Sequence, residues 1–93
     1  MIKSFRSSEA EKIFFRQFTP RFPAHLTRSA QRKLALLDAA ETLDDLRIPP
    51  GNHLEKLSGD RKGQYSIRIN DQWRVCFRWR EGNVYDVEIA DYH

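Results

Sequence analysis

Trp73-Arg74-Val75-Cys76-Phe77-Arg78-Trp79 is the stretch that decides the fold. Trp73, Val75, Phe77 and Trp79 alternate with Arg74, Cys76 and Arg78, and side chains two apart share one face of an extended strand. One face is greasy and the other is polar, so this is a strand with a core on one side only. Working outward, Tyr65, Ile67 and Ile69 repeat the alternation upstream, and Tyr85, Val87 and Ile89 repeat it downstream. His53–Leu57 alternates less cleanly and reads as a further strand, bulged or at an edge. Short, one-sided strands in succession predict an antiparallel sheet.

The first half of the chain has a different period. Ile2–Phe5 reads as a short opening strand. Ser8-Glu9-Ala10-Glu11 is a capping-box pattern, and Ala10, Ile13, Phe14 and Phe18 then fall on one side of a 3.6-residue repeat, which predicts a helix to about Phe18. Thr19-Pro20-Arg21-Phe22-Pro23 breaks it and reads as a flexible loop, because proline restricts both itself and its neighbour. Thr27 or Ser29 is the expected cap of a second helix with Ala30, Leu34, Leu37 and Ala40 on one face. Ile48-Pro49-Pro50-Gly51 ends the helical half. The expected architecture is α+β, with two N-terminal helices packed on one face of an antiparallel sheet.

Composition narrows the class. The chain has 93 residues, of which 40% are hydrophobic and 31% charged, with a net charge of +3. That length is enough for one modest core, so a single domain over residues 1–93 is expected. No apolar run approaches the ~20 residues that a bilayer demands, and the opening residues lack the apolar stretch of a secretory signal. With one cysteine, Cys76, no internal disulfide can form. A cytoplasmic protein is the simplest reading. His25 and His53 have no cysteine or acidic ligand at metal spacing and read as surface residues. Cys76 has no paired histidine and reads as inert. Phe14, Phe15, Phe18 and Phe22 exceed what one helix face needs, so part of this cluster is either core or an exposed patch for a partner.

Register locates a candidate site. If the apolar faces of neighbouring strands are to agree, the hairpin through Glu81-Gly82-Asn83 needs an odd loop, and three residues is the shortest good choice. That sets Trp79 opposite Tyr85, Arg78 opposite Asp86, Cys76 opposite Glu88 and Arg74 opposite Ala90, with Tyr85 in the core and Arg78–Asp86 an ordinary ion pair. The same rule applied to Asn70-Asp71-Gln72 sets Arg68 directly opposite Arg74. Like charges held about 5 Å apart repel unless an anion lies between them. Glu88, on the diagonal, is one such anion and a phosphate is another. Tyr92 projects on the same face, and Lys56, Arg61 and Lys62 lie in the preceding strand and loop. On these positions alone a solvated polar face is the better account.

Longer motifs shift that balance. Gly59-Asp60-Arg61-Lys62-Gly63, Tyr65-Ser66-Ile67-Arg68-Ile69-Asn70, Trp73-Arg74-Val75-Cys76-Phe77 and the terminal Asp91-Tyr92-His93 together resemble the HigB branch of the RelE superfamily of bacterial toxins, and more closely its GraT-like members. Met1–Phe5 and Arg32–Ala40 match as well, so the resemblance covers nearly the whole chain. It implies a microbial-RNase-like fold that enters the ribosomal A site and cuts mRNA there. The RNA's own 2′-hydroxyl attacks the adjacent phosphorus, without metal or cofactor. It also implies a HigA-like helix-turn-helix antitoxin as partner, with operator DNA bound only through that antitoxin. Carried over, Arg74 holds the scissile phosphate and the charge that builds on it. Arg68, Lys56, Arg61 and Lys62 position the RNA backbone. His93 is the natural proton-transfer group, Asp91 either orients the imidazole or takes the proton itself, and Tyr92 either stacks on a base or steadies the phosphate. Strict alternation, however, points Asp91 and His93 toward the helices. Some HigB members carry a histidine and a lysine where this chain reads Glu55 and Ser58, which implies a slower enzyme here. The same fold also serves ParE-like inhibitors that do not cut RNA, and modules that only support a repressor; the pairing of Trp73-Arg74 with the terminal tripeptide favours the nuclease.

Overall fold

The computed structural model describes residues 1–91. Its sheet has four antiparallel strands in sequence order: β1 Glu55–Lys56, β2 Tyr65–Arg68, β3 Trp73–Arg80 and β4 Asn83–Asp91. Helices α1 (Ser8–Phe14) and α2 (Ala24–Ala39) cover one face. Between sheet and helices Ile13, Leu26, Leu34, Leu37, Ile67, Val75, Phe77, Val84 and Val87 are all inaccessible or nearly so. The expected α+β arrangement is the one observed. Among the described residues no helix is long and apolar enough to cross a membrane.

The opening residues do extend along the sheet. Ile2 and Phe5 bridge Val84 and Val87 in parallel, with the Lys3 amide donating to the Val84 carbonyl at 2.7 Å and the Arg6 amide to that of Val87 at 2.8 Å. They thus cover the outer edge of β4, whose unpaired backbone groups would otherwise invite another strand.

Helix ends differ from expectation. α1 is capped by Ser7, whose hydroxyl accepts from the Ala10 amide at 3.3 Å, and it stops at Phe14. Arg16 turns left-handed at φ 59°, so Phe18 never joins the apolar stripe and stands 81% exposed. Phe14 and Phe22 pack on or in the core, whereas Phe15 is exposed. α2 starts earlier than either expected cap, directly after Pro23, whose fixed φ suits a helix entry. Thr27 instead donates its hydroxyl back to the Pro23 carbonyl.

The β3–β4 hairpin is the larger correction. Its loop has two residues, Glu81 and Gly82, both at positive φ (51° and 78°), with Arg80 opposite Asn83. That is the tight turn whose twist matches the strands it joins. An even loop would put β4 out of phase with the core, and a bulge compensates. Arg78 pairs with Tyr85 but Cys76 with Glu88, leaving an extra residue on β4, and Asp86 sits there at φ 55°. Its amide donates to the Ser4 hydroxyl at 2.9 Å, which anchors the kink. Val84 and Val87 therefore both face the core and Tyr85, expected inside, shares the outer face with Arg78. The expected Arg78–Asp86 ion pair forms, at 3.4 Å, although the two residues are not directly opposed.

Asn52 is fully buried. Its amide nitrogen donates to the Leu46 and Ile48 carbonyls at 3.1 and 3.3 Å, and its carbonyl oxygen accepts from Lys33 Nζ at 2.5 Å. Burial, with Arg32 and Arg68 adding repulsion, lowers the Lys33 pKa. Asn52→Ala strands these groups, so we expect it to cost about 1–3 kcal/mol of stability, read as a drop in the urea midpoint at unchanged slope.

Candidate active site

Among the described residues, the helix-free face of the sheet carries one deeply held cation. Arg74 is 7% exposed. Its Nε donates to Ser66 Oγ at 2.7 Å, and its Nη2 donates to the His53 carbonyl at 2.5 Å and to the Ser66 carbonyl at 3.4 Å. Glu55 Oε1 lies 3.8 Å from Nη1. A cation taken out of water is tolerated only when paired and hydrogen-bonded, and these acceptors also lock a planar donor fork in place. The local backbone supplies them. The turn Pro50–Asn52, pinned by the Asn52 side chain, is followed by His53 in a left-handed conformation (φ 44°, ψ 57°), and the His53 carbonyl serves Arg74. Ser66 lies opposite both Glu55 on β1 and Cys76 on β3, so period two places its hydroxyl on the same face as Arg74.

Arg68 is directly opposite Arg74, as the register requires, and among the described residues the two side chains reach different acceptors. The Arg68 guanidinium pairs with Asp71 in the turn, whereas that of Arg74 runs toward Ser66 and His53. Each charge has its own acceptor and they diverge. Glu88, expected beside Arg74, instead pairs with Arg61 at 2.5 Å, and Arg61 also donates to Gln64 Oε1 at 3.2 Å. Arg6, Asp60, Arg61, Gln64 and Glu88 line an open cleft of about 330 Å³ at the register level of Cys76.

The remaining expected site residues separate. Lys62 is exposed directly after the turn Gly59–Arg61. Lys56 lies opposite Tyr65, hence on the helix side of its strand, and Glu55 takes the place on the Arg74 face. Asp91 lies opposite Trp73, again on the helix side as strict alternation predicts, and its carboxylate accepts from Gln72 Nε2 at 3.3 Å. Tyr92 and His93 lie outside the described residues. Cys76 is fully buried and His25 and His53 are exposed. Among the described residues no group of three or more histidine, cysteine or acidic side chains is placed to hold a metal ion.

Sequence reasoning missed Glu55, Ser66, Arg6 and the His53 carbonyl. Ser66 was within reach, since alternation from Tyr65 gives its face. The His53 carbonyl was not, because it depends on a left-handed backbone. The arrangement as a whole holds a rigid guanidinium on a polar face, suited to an anion whose charge grows during reaction.

This arrangement of sheet and helices is shared with solved structures. YafQ from E. coli strain BL21(DE3) superposes with a TM-score of 0.67 over 98% of this chain and 91% of that one, at 14% identity. The toxin–antitoxin heterotetramer YoeB–YefM from Staphylococcus aureus contains a chain that matches with a TM-score of 0.61 over 100% and 98%, at 19% identity. Likeness at that identity defines the fold, the one these toxins share. The family described as the RelE-like toxin of type II toxin-antitoxin system HigB matches residues 3–93, and the chain belongs to it. Toxin HigB-1 of Vibrio cholerae is 50% identical over 60 residues, 64% of this chain and 63% of that protein. Endoribonuclease HigB of Proteus vulgaris is 31% identical over 93 residues, the whole of both chains. The aligned stretch thus spans a little under two thirds of the Vibrio protein and all of the Proteus one.

Proposed function

We propose that this chain is an endoribonuclease toxin that cuts mRNA in the ribosomal A site of a bacterial cytoplasm and is silenced by a HigA-like helix-turn-helix antitoxin. The carrying observation is Arg74, a rigidly held guanidinium on the open face of the sheet, in a chain related along its full length to an endoribonuclease. Arg74 grips the scissile phosphate. A base of the terminal tripeptide, His93, takes the proton of the 2′-hydroxyl; the 2′-oxygen bonds to phosphorus and the bond to the 5′-oxygen breaks. That oxygen takes a proton from solvent as it leaves, giving a 2′,3′-cyclic phosphate and a 5′-hydroxyl. Arg61, Lys62 and Arg68 neutralise neighbouring phosphates, and Lys56 does so from the strand edge. The structural neighbour solved with its antitoxin supports a toxin held in a protein complex, and operator DNA is bound only through the antitoxin.

The test is product chemistry. Purified protein added to ribosomes carrying an end-labelled mRNA is expected to yield fragments with 5′-hydroxyl and 2′,3′-cyclic phosphate ends at the A-site codon. Intact mRNA, or fragments bearing 5′-phosphates, overturns the assignment.

A further inference from the structure

The hairpin turn and the bulge at Asp86 move an aromatic ring out of the core. Tyr85 stands opposite Arg78, on the face that carries Arg74, while Val84 and Val87 fill the apolar positions on either side. Its ring lies under the Arg80 guanidinium, with 4.7 Å from Cζ to the ring centroid. Gly63, Arg78, Arg80, Tyr85 and Asp86 help to line a cleft of about 420 Å³. Gly63 adopts φ +90°, and a Cβ there would come within 2.8 Å of Arg78 Nη1, so the glycine lets the guanidinium come close to the backbone. The Arg61–Glu88 cleft sits at the register level of Cys76, between this end of the sheet and Arg74. Arg80 is six positions beyond Arg74 on β3, ~20 Å at the usual strand rise.

We propose that Tyr85 and Arg80 form a stacking platform for a base of single-stranded RNA several nucleotides from the phosphate held by Arg74. This rests on the endoribonuclease reading and extends its binding surface along the outer face of the sheet. A tyrosine already overlaid by an arginine is half of such a stack. Aromatic rings beside cationic grooves bind successive bases with little sequence preference, because every base offers a π-face. The core does not need this ring, since the bulge assigns the inward positions to two valines. Among the described residues no carboxylate pairs with Arg80, so its charge serves a polyanion.

The experiment uses 2′-O-methyl oligonucleotides, whose capped nucleophile prevents cleavage, in fluorescence anisotropy with the full chain. One oligonucleotide spans only the cut and another extends several nucleotides to each side. The wild type is expected to bind the long one more tightly. Tyr85→Ala is expected to lose roughly tenfold on the long one, the share of one stacked base, bringing it near the short one, while Tyr85→Phe retains the advantage. Equal affinity of wild type and Tyr85→Ala for the long oligonucleotide overturns the platform. So does a Tyr85→Ala protein that binds it normally but loses its antitoxin. Cleavage separates the two ideas: wild-type protein that leaves ribosome-bound mRNA intact fails the nuclease reading, whatever Tyr85 does to oligonucleotide binding.

Discussion

Arg74→Ala is expected to lower ribosome-dependent mRNA cleavage by about 10²–10³-fold, the usual effect of removing one preorganised donor from a developing oxyanion. Arg74 is fixed before substrate arrives, by Ser66 Oγ at 2.7 Å and the His53 carbonyl at 2.5 Å, so it needs no reorganisation as charge builds on the phosphate. Arg74→Lys is expected to recover little. An ammonium is a point donor and cannot hold Ser66, His53 and a phosphate oxygen in one plane. Both variants leave acceptors unpaired, which costs about 1–3 kcal/mol, so cleavage has to be compared on protein shown to be folded by circular dichroism at the assay temperature. Folded Arg74→Ala that cuts at the wild-type rate would remove this residue from the chemistry.

Phe77→Ala is expected to destabilise the chain by about 3–5 kcal/mol, the range for emptying a fully buried aromatic site. Phe77 is inaccessible, stands at the centre of the sheet beside β2 and β4, and stacks on Tyr65 with centroids 6.2 Å apart. Domains of this size hold about 5–15 kcal/mol in all, so a shortfall that large leaves a substantial unfolded population near physiological temperature. Urea denaturation monitored by tryptophan fluorescence measures it. A loss below about 1 kcal/mol would mean that the helices close the cavity and that β3 is not the spine of the core. Phe77→Ala and Arg74→Ala are complementary: the first chiefly lowers the folded fraction and leaves cleavage per folded molecule intact, whereas the second lowers cleavage per folded molecule.

Which face each residue of β2 and β3 occupies was legible from alternation alone, because the strand period is two and one side must be buried. That is why Arg68 opposite Arg74 and Cys76 opposite Glu88 were both anticipated and both found. Partner choice on the polar face was not legible. Arg68, Arg61 and Arg74 are long side chains with several acceptors in reach, and backbone placement selects among them: Asp71 in the turn, Glu88 across the sheet, a carbonyl from a left-handed residue. Asp91 shows the same division. Its face follows from counting residues along β4, whereas its contact with Gln72 depends on how the β2–β3 turn folds back. The end of α1 was misplaced because Phe18 fits a helical stripe, and nothing local announces that Arg16 turns left-handed.

By itself, then, the sequence determined the class of fold, the side of the sheet that meets the helices and the central position of Arg74, since these follow from hydrophobic period and from motifs along the chain. Tertiary structure alone decided that Tyr85 leaves the core and that Glu55 replaces Lys56 beside Arg74. For Glu55 the reason is its pairing with Ser66 across β1 and β2; for Tyr85 it is that a two-residue turn and a one-residue bulge cancel within β4. Neither shift changes the overall hydrophobic pattern, yet together they exchange Val84 and Tyr85 between the two faces, and only packing against Ser4 and Val87 fixes where the exchange falls.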